Sequence, residues 1–191
     1  KAEILMSRVF GKPVTMLKFF HFGEYSFEGR KLVIARSGYS RQGGFEIYLD
    51  QTALGGKLWD TLWEAGKDLE VSPGYPNLIE RVEGGLLSYG NEMTRENNPL
   101  ECNLERYCNL DGTIDCVGMT RLREVAKKGI QQRIRGIVFE GEASPPCGFP
   151  WPLIHDAQKA GYTTTAVWSP RLKSNLALAM VRKEFWETNQ E

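Results

Sequence analysis

Residues Lys31 to Leu49 constrain the fold of this chain more than any other stretch: an apolar run, a glycine-rich turn and an alternating segment follow one another there. Lys31-Leu32-Val33-Ile34-Ala35 predicts one strand, and beyond the turn Phe45, Ile47 and Leu49 alternate with Glu46 and Tyr48 at the period of a second. The expected unit is a β-hairpin. Between its arms, in RSGYSRQGG, Gly38, Gly43 and Gly44 permit positive φ and a close backbone approach, and Tyr39 offers a flat ring with a hydroxyl. If Phe45 and Ile47 turn to the core, Glu46 and Tyr48 face water or a cleft. Two readings of Glu46 stay open: a solvated strand glutamate, or an acid that holds a planar ligand rich in hydrogen-bond donors.

The flanking segments supply helices and further strands. Lys1 to Phe10 reads as the tail of a helix, with Ile4, Leu5 and Val9 on one face, and the lack of an initial methionine suggests that it is not the natural start. After Pro13, the segment Val14 to Phe22 (VTMLKFFHF) has the aromatic and β-branched content of a strand, with a turn at Glu24 to Gly29. His21 has no companion motif and is read as structural or half-exposed. Gln51 to Leu69 places Leu54, Leu58, Leu62 and Ala65 at helical spacing, and Trp59 and Trp63 on an adjoining stripe are expected to pack against the sheet. Pro76 with Asn77 is a start signal for a helix from Leu78 to Leu87. Its Gly84 and Gly85 cost helix propensity of about 1 kcal/mol each, and Gly90 after Tyr89 is the expected left-handed stop. The polar run from Asn91 to Asn98, Glu92 included, reads as a loop, solvated unless it carries chemistry.

From Asn109 the texture changes. A short helix, Met119 to Lys128, gives way to strands at Gln131–Glu140, Ala160–Trp168 and Leu176–Arg182, with a proline-rich turn region between the first two. The fold class is therefore α+β: an antiparallel sheet with packed helices, followed by a small antiparallel β-barrel or sandwich. The expected division is 1–109, a connecting turn and helix at 110–129, and a β domain at 130–191 that looks truncated.

Composition narrows the partners. The 191 residues include 24 Lys plus Arg against 24 Asp plus Glu, so no nucleic-acid partner is expected. No apolar run approaches the ~20 residues needed to span a bilayer, and no membrane association is expected. Cys102, Cys108, Cys116 and Cys147 show no metal-binding spacing with His21 and His155, which points to free thiols in a reducing, cytoplasmic setting. No Walker loop, dinucleotide fingerprint, HExxH or nucleophile elbow occurs, and two distant histidines do not assemble a nucleophilic triad. The residues alone thus indicate a ligand cleft near Tyr39, Glu46, Arg81 and Tyr89.

Four segments in the same order, FEGRKLVIARSGYSRQGGFEIYL, IERVEGGLLSYGNEMTRENNPLE, GIQQRIRGIVFEG and TTTAVWSPRLKSNLALAMVR, resemble the second and third domains of the glycine cleavage T-protein family of folate-dependent aminomethyltransferases. Within that family RSGYSRQGGFEIYL together with LLSYGNEMTRENNP looks similar to dimethylsulfoniopropionate demethylases, which transfer a methyl group to tetrahydrofolate. Aminomethyltransferases proper carry a GYTGEDG-like turn, where Ser40-Arg41-Gln42-Gly43 stands here. The resemblance implies tetrahydrofolate as cofactor, with Tyr39 at the pterin, Glu46 accepting paired hydrogen bonds from its edge, and Arg81 and Tyr89 near the same channel. It also implies a small methyl or aminomethyl donor and no metal. The family's catalytic aspartate belongs to a preceding domain, so no catalytic residue is expected in this chain, which is read as an inactive C-terminal portion. Exposed surfaces that such a domain would cover make self-association, a homo-oligomer included, the expectation. Two other readings are a non-catalytic folate-binding module, as in relatives tied to iron–sulfur assembly, and the folate domain of a flavin-linked sarcosine or dimethylglycine oxidising enzyme. The first is disfavoured because LLSYGNEM stands where those relatives carry a KGCYxGQE-like motif.

Overall fold

The computed structural model describes residues 1–74 and 77–187, so the helix-start signal at Pro76 and the chain end at Glu191 lie outside the described residues. The chain forms two units, Lys1–Asn77 and Leu78–Glu191, each with its own core.

In the first unit a helix α1 (Ala2–Phe10) precedes strands β1 (Phe22–Phe27), β2 (Arg30–Ala35) and β3 (Glu46–Tyr48), and a helix α2 (Gly55–Ala65) follows. The strands pair antiparallel in the order β1-β2-β3, with Val33 opposite Tyr48 and Ala35 opposite Glu46. Alternation sends Leu32 and Ile34 to one face, where they meet Met6, Val14 and Leu58 in a buried cluster. Phe45, Ile47 and Leu49 pack against the same cluster. Phe10 tilts against Tyr25 and Phe27 with ring centroids 6.4 and 6.3 Å apart. The other face carries Phe22, Glu24, Val33, Ala35, Glu46 and Tyr48, and α1 and α2 do not cover it: Phe22 stays 72% exposed.

Three sequence expectations fail in this unit. The turn expected at Glu24 to Gly29 shrinks to Glu28 and Gly29, because residues 24–27 pair with β2 as part of β1. Val14 to Phe22 is no strand: Lys12–Met16 form a 3₁₀ turn, and the sheet begins at Phe22. Pro13 sits in the first turn, where its fixed φ and missing N–H suit a helical start. Val14 alone is fully buried, whereas Met16, Phe19 and Phe20 stand in solvent. The tryptophans of α2 do not pack on the sheet either. Leu58 and Leu62 face the core, and Trp59 and Trp63, each rotated about 100° further round the helix, remain exposed and stack on each other at 6.0 Å.

The second unit opens with α3 (Leu78–Glu83), shorter than the helix expected to Leu87. Gly85, at φ 62, is its left-handed stop, in place of Gly90. The N–H of Leu86 donates to the Arg81 carbonyl at 2.9 Å and that of Gly85 to the Val82 carbonyl at 3.0 Å, the paired bonds of a Schellman turn. Helix α4 (Met119–Lys128) lies where the sequence places it. Strands β4 (Gln132–Phe139), β5 (Pro152–His155), β6 (Gln158–Ser169) and β7 (Ser174–Arg182) form an antiparallel sheet in the order β4-β7-β6-β5. Among the described residues no pairing closes β4 onto β5. Val82 of α3 joins Ile134, Val167, Leu176, Leu178 and Met180 in the core of this unit. A bulge in β6 interrupts the register between Thr163 and Thr165. No helix among the described residues is long and apolar enough to cross a membrane.

Candidate functional site

Glu46 is held on the open face of the first sheet. Its backbone pairs with Ala35, and because Phe45 and Ile47 are drawn into the core, its side chain must point to the opposite, exposed face. Two hydroxyls converge on its Oε2: Ser37 donates to it, and the Tyr48 hydroxyl lies 3.4 Å away. Oε1 receives no donor among the described residues, so a carboxylate with acceptor capacity stands on a partly apolar floor of Phe22, Val33 and Ala35.

The turn between β2 and β3 is anchored at its base. Arg36 pairs with Glu3 of α1, and its guanidinium lies over the Phe45 ring with 4.7 Å to the centroid. Tyr39, within the turn, is 51% exposed. Tyr39 and Glu46 both lie in the first unit, Tyr39 in the turn and Glu46 at the start of β3. A cleft of about 580 Å³ runs along the neighbouring part of these strands, lined by Glu24, Lys31, Val33, Tyr48 and Asp50 among others. Tyr48 links the two, since it touches Glu46 and lines the cleft.

Arg81 and Tyr89 lie in the second unit. Arg81 is buried on α3: Nη1 donates to the Leu86 carbonyl at 2.8 Å and to Glu92 Oε2 at 2.7 Å, and Nη2 to Thr165 Oγ1 at 3.0 Å. Glu92, expected on a solvated loop, is instead 1% exposed. Its Oε2 also accepts the Ser88 N–H at 2.7 Å, and its Oε1 lies 3.1 and 2.5 Å from the hydroxyls of Thr164 and Thr165. Successive strand residues normally face opposite sides, and the bulge in β6 is what lets both threonines reach one carboxylate oxygen. The network fixes the loop from Leu86 to Glu92 and leaves Tyr89 at its tip, 69% exposed.

Glu92 and Ser37 are the residues that sequence reasoning passed over. Glu92 looked like one more polar residue in a run of seven such side chains, and Ser37 carried no signal of its own. Lys1–Glu70, Lys31–Glu24 and Lys57–Glu28 are surface ion pairs, and the four cysteines are free thiols, of which Cys102 is buried and pushed up from its ordinary pKa by that burial. Among the described residues no group of three or more His, Cys, Asp or Glu side chains could hold a metal ion.

The fold is α+β, and the open face of its first sheet carries the Glu46 carboxyl with the Ser37 and Tyr48 hydroxyls on one of its oxygens. The family described as the GCVT N-terminal domain matches residues 1–112, and that described as the glycine cleavage T-protein C-terminal barrel domain matches residues 132–191. The chain belongs to the glycine cleavage T-protein family. It is 48% identical over 186 residues to a dimethylsulfoniopropionate demethylase, DmdA, of Ruegeria pomeroyi, covering 97% of this chain and 50% of that protein. It is 31% identical over 189 residues to an aminomethyltransferase of Caldanaerobacter subterraneus, covering 97% and 49% respectively. The crystal structure of the glycine cleavage system aminomethyltransferase T from Bartonella henselae shares the fold, with a TM-score of 0.72 at 22% identity over 93% of this chain and 48% of that one. The chain spans about half the length of the curated relatives it matches.

Proposed function

We propose that this chain is the tetrahydrofolate-binding portion of a methyltransferase that resembles dimethylsulfoniopropionate demethylases, with Tyr39, Glu46 and Tyr89 as its folate-binding residues, Arg81 as a buried support of the loop that bears Tyr89, and the catalytic group outside it. The observation that carries this reading is the Glu46 carboxylate, oriented by hydroxyls on Oε2 and open to donors at Oε1. The edge of a reduced pterin presents a ring N–H and an amino group side by side, and an ionised carboxylate is the side chain that accepts both. Tyr39, in the same unit as Glu46, supplies a flat, half-wet ring suited to the rest of such a ligand. Arg81 serves through the Glu92 network, which sets the loop that bears Tyr89. When bound, the folate supplies the nucleophilic nitrogen; the residues of this chain bind and orient it, and orientation alone lowers the barrier of a two-substrate transfer by several kcal/mol.

A small methyl or aminomethyl donor, a cytoplasmic setting and a homo-oligomer complete the reading, supported in the second case by the four free thiols. The division 1–109, 110–129 and 130–191 is carried as part of it, supported by family matches at 1–112 and 132–191. Aminomethyl transfer is the second reading, favoured by the 31% identity to an aminomethyltransferase. Isothermal titration of tetrahydrofolate into the chain tests the proposal. Saturable binding that Glu46→Ala abolishes is the expected result, and no binding, or binding indifferent to Glu46→Ala, overturns it.

A further inference from the structure

Resting on the folate reading of Glu46, we infer that Ser37 is a positioning residue that holds the carboxylate in its ligand-ready orientation, and that Tyr48 is an exchangeable donor whose place the ligand takes. Strand β2 ends at Ala35, yet its ladder runs one rung further: the Arg36 N–H donates to the His21 carbonyl at 2.8 Å, and the Phe20 N–H donates to the Arg36 carbonyl at 2.9 Å. That extra rung keeps the backbone extended through Arg36 and brings Ser37 onto the face of Ala35, the cross-strand partner of Glu46. The Ser37 hydroxyl therefore meets Glu46 Oε2 from across the sheet. Tyr48 reaches the same oxygen from two residues along β3, at 3.4 Å.

The two donors differ in kind. A hydroxyl–carboxylate bond has its optimum near 2.7 Å, and one stretched to 3.4 Å adds little, so its loss costs little. A carboxylate oxygen accommodates about two donors. A ligand that presents two parallel donors needs one place on each oxygen, and Oε2 already receives two hydroxyls. One must leave. The long contact from Tyr48 is the one that yields, and Ser37 remains to stop rotation of the carboxylate about its last bond. Tyr48 then turns its ring along the neighbouring cleft, whose wall it already forms.

The test uses the 191-residue chain with tetrahydrofolate and, in parallel, its analogue lacking the 2-amino group. Ser37→Ala is expected to weaken tetrahydrofolate binding about tenfold, to narrow the preference for tetrahydrofolate over the deamino analogue, and to be rescued by Ser37→Thr. Tyr48→Phe is expected to bind at least as tightly as the unsubstituted chain. A general loss of fold would weaken both ligands alike and leave the preference unchanged, which overturns the positioning role. Unchanged binding in Ser37→Ala overturns it as well. A loss in Tyr48→Phe equal to that in Ser37→Ala overturns the exchange. If the unsubstituted chain binds neither ligand, the folate reading itself fails, and the inference falls with it; if it binds and Ser37→Ala is silent, only the inference fails.

Discussion

Arg81 and Glu92 meet at 2.7 Å with 6% and 0% of their side chains exposed, an ion pair sealed inside the second unit. Two charges are removed from water there, and their attraction offsets that cost only because the remaining valences are filled by Leu86, Ser88, Thr164 and Thr165. Removal of one partner leaves the other buried and alone. Arg81→Met and Glu92→Leu are each expected to cost about 3–5 kcal/mol, and the double variant less than the sum. Urea unfolding of the three variants checks this, and strict additivity would show that the pair is not coupled.

Thr165 is the hinge of the same network. It accepts from Arg81 and donates to Glu92, both within the buried interior. Thr165→Val keeps the shape and strands a donor and an acceptor, for an expected loss of about 1–3 kcal/mol. Thr164→Val loses less, because its side chain is half-buried and its hydroxyl divides its reach between Glu92 and the Leu178 carbonyl. Chemical denaturation of the two variants side by side gives the order, and a reversed order would place the weight on the bulge residue instead.

Acid stability follows from Glu83. Its carboxylate accepts from the Ser169 hydroxyl at 2.5 Å and from Arg171, and these bonds, Ser169 first, hold its pKa below the ordinary value of 4.5 against the opposing effect of burial. With the folded value depressed, the stabilisation is complete above about the ordinary value; as pH falls below it the unfolded chain takes up the proton first, and the contribution is gone once pH passes the folded value. Stability measured from pH 6 downward should therefore fall more steeply in the unsubstituted chain than in Glu83→Gln. Parallel slopes would remove Glu83 from the account.

What the sequence disclosed and what it withheld separate along a physical line. Helix α4 was legible because a run of helix formers, MTRLREVAKK, ends at Gly129. The outward aim of Glu46 was legible because strand alternation is local and strict. The burial of Glu92 was not, since it depends on a Schellman turn at Gly85 and a bulge in β6 more than 70 residues away. Nor was the placing of Ser37, which depends on which segment pairs with Arg36. In Val14–Phe22 and at Trp59 and Trp63, residue type pointed to strand and core, and packing overruled it.

Gly161 illustrates how tightly the sheet of the second unit is built. It faces Val181 across the β6–β7 pair, and a Cβ at this position would lie 2.1 Å from the carbonyl oxygen of Met180. That neighbour is backbone in the middle of β7, flanked by the buried Ala179 and Val181, so it cannot swing aside as a side chain would. Even the smallest substitution must spread the two strands or break the ladder locally. Gly161→Ala is expected to destabilise by more than about 3 kcal/mol. By contrast Gly136, on β4 of the same sheet, has open space where a Cβ would stand, and Gly136→Ala should be neutral or slightly stabilising, as the unfolded chain loses freedom. Thermal unfolding of the two variants side by side provides the measurement, and equal melting temperatures would show that the two strands part without cost.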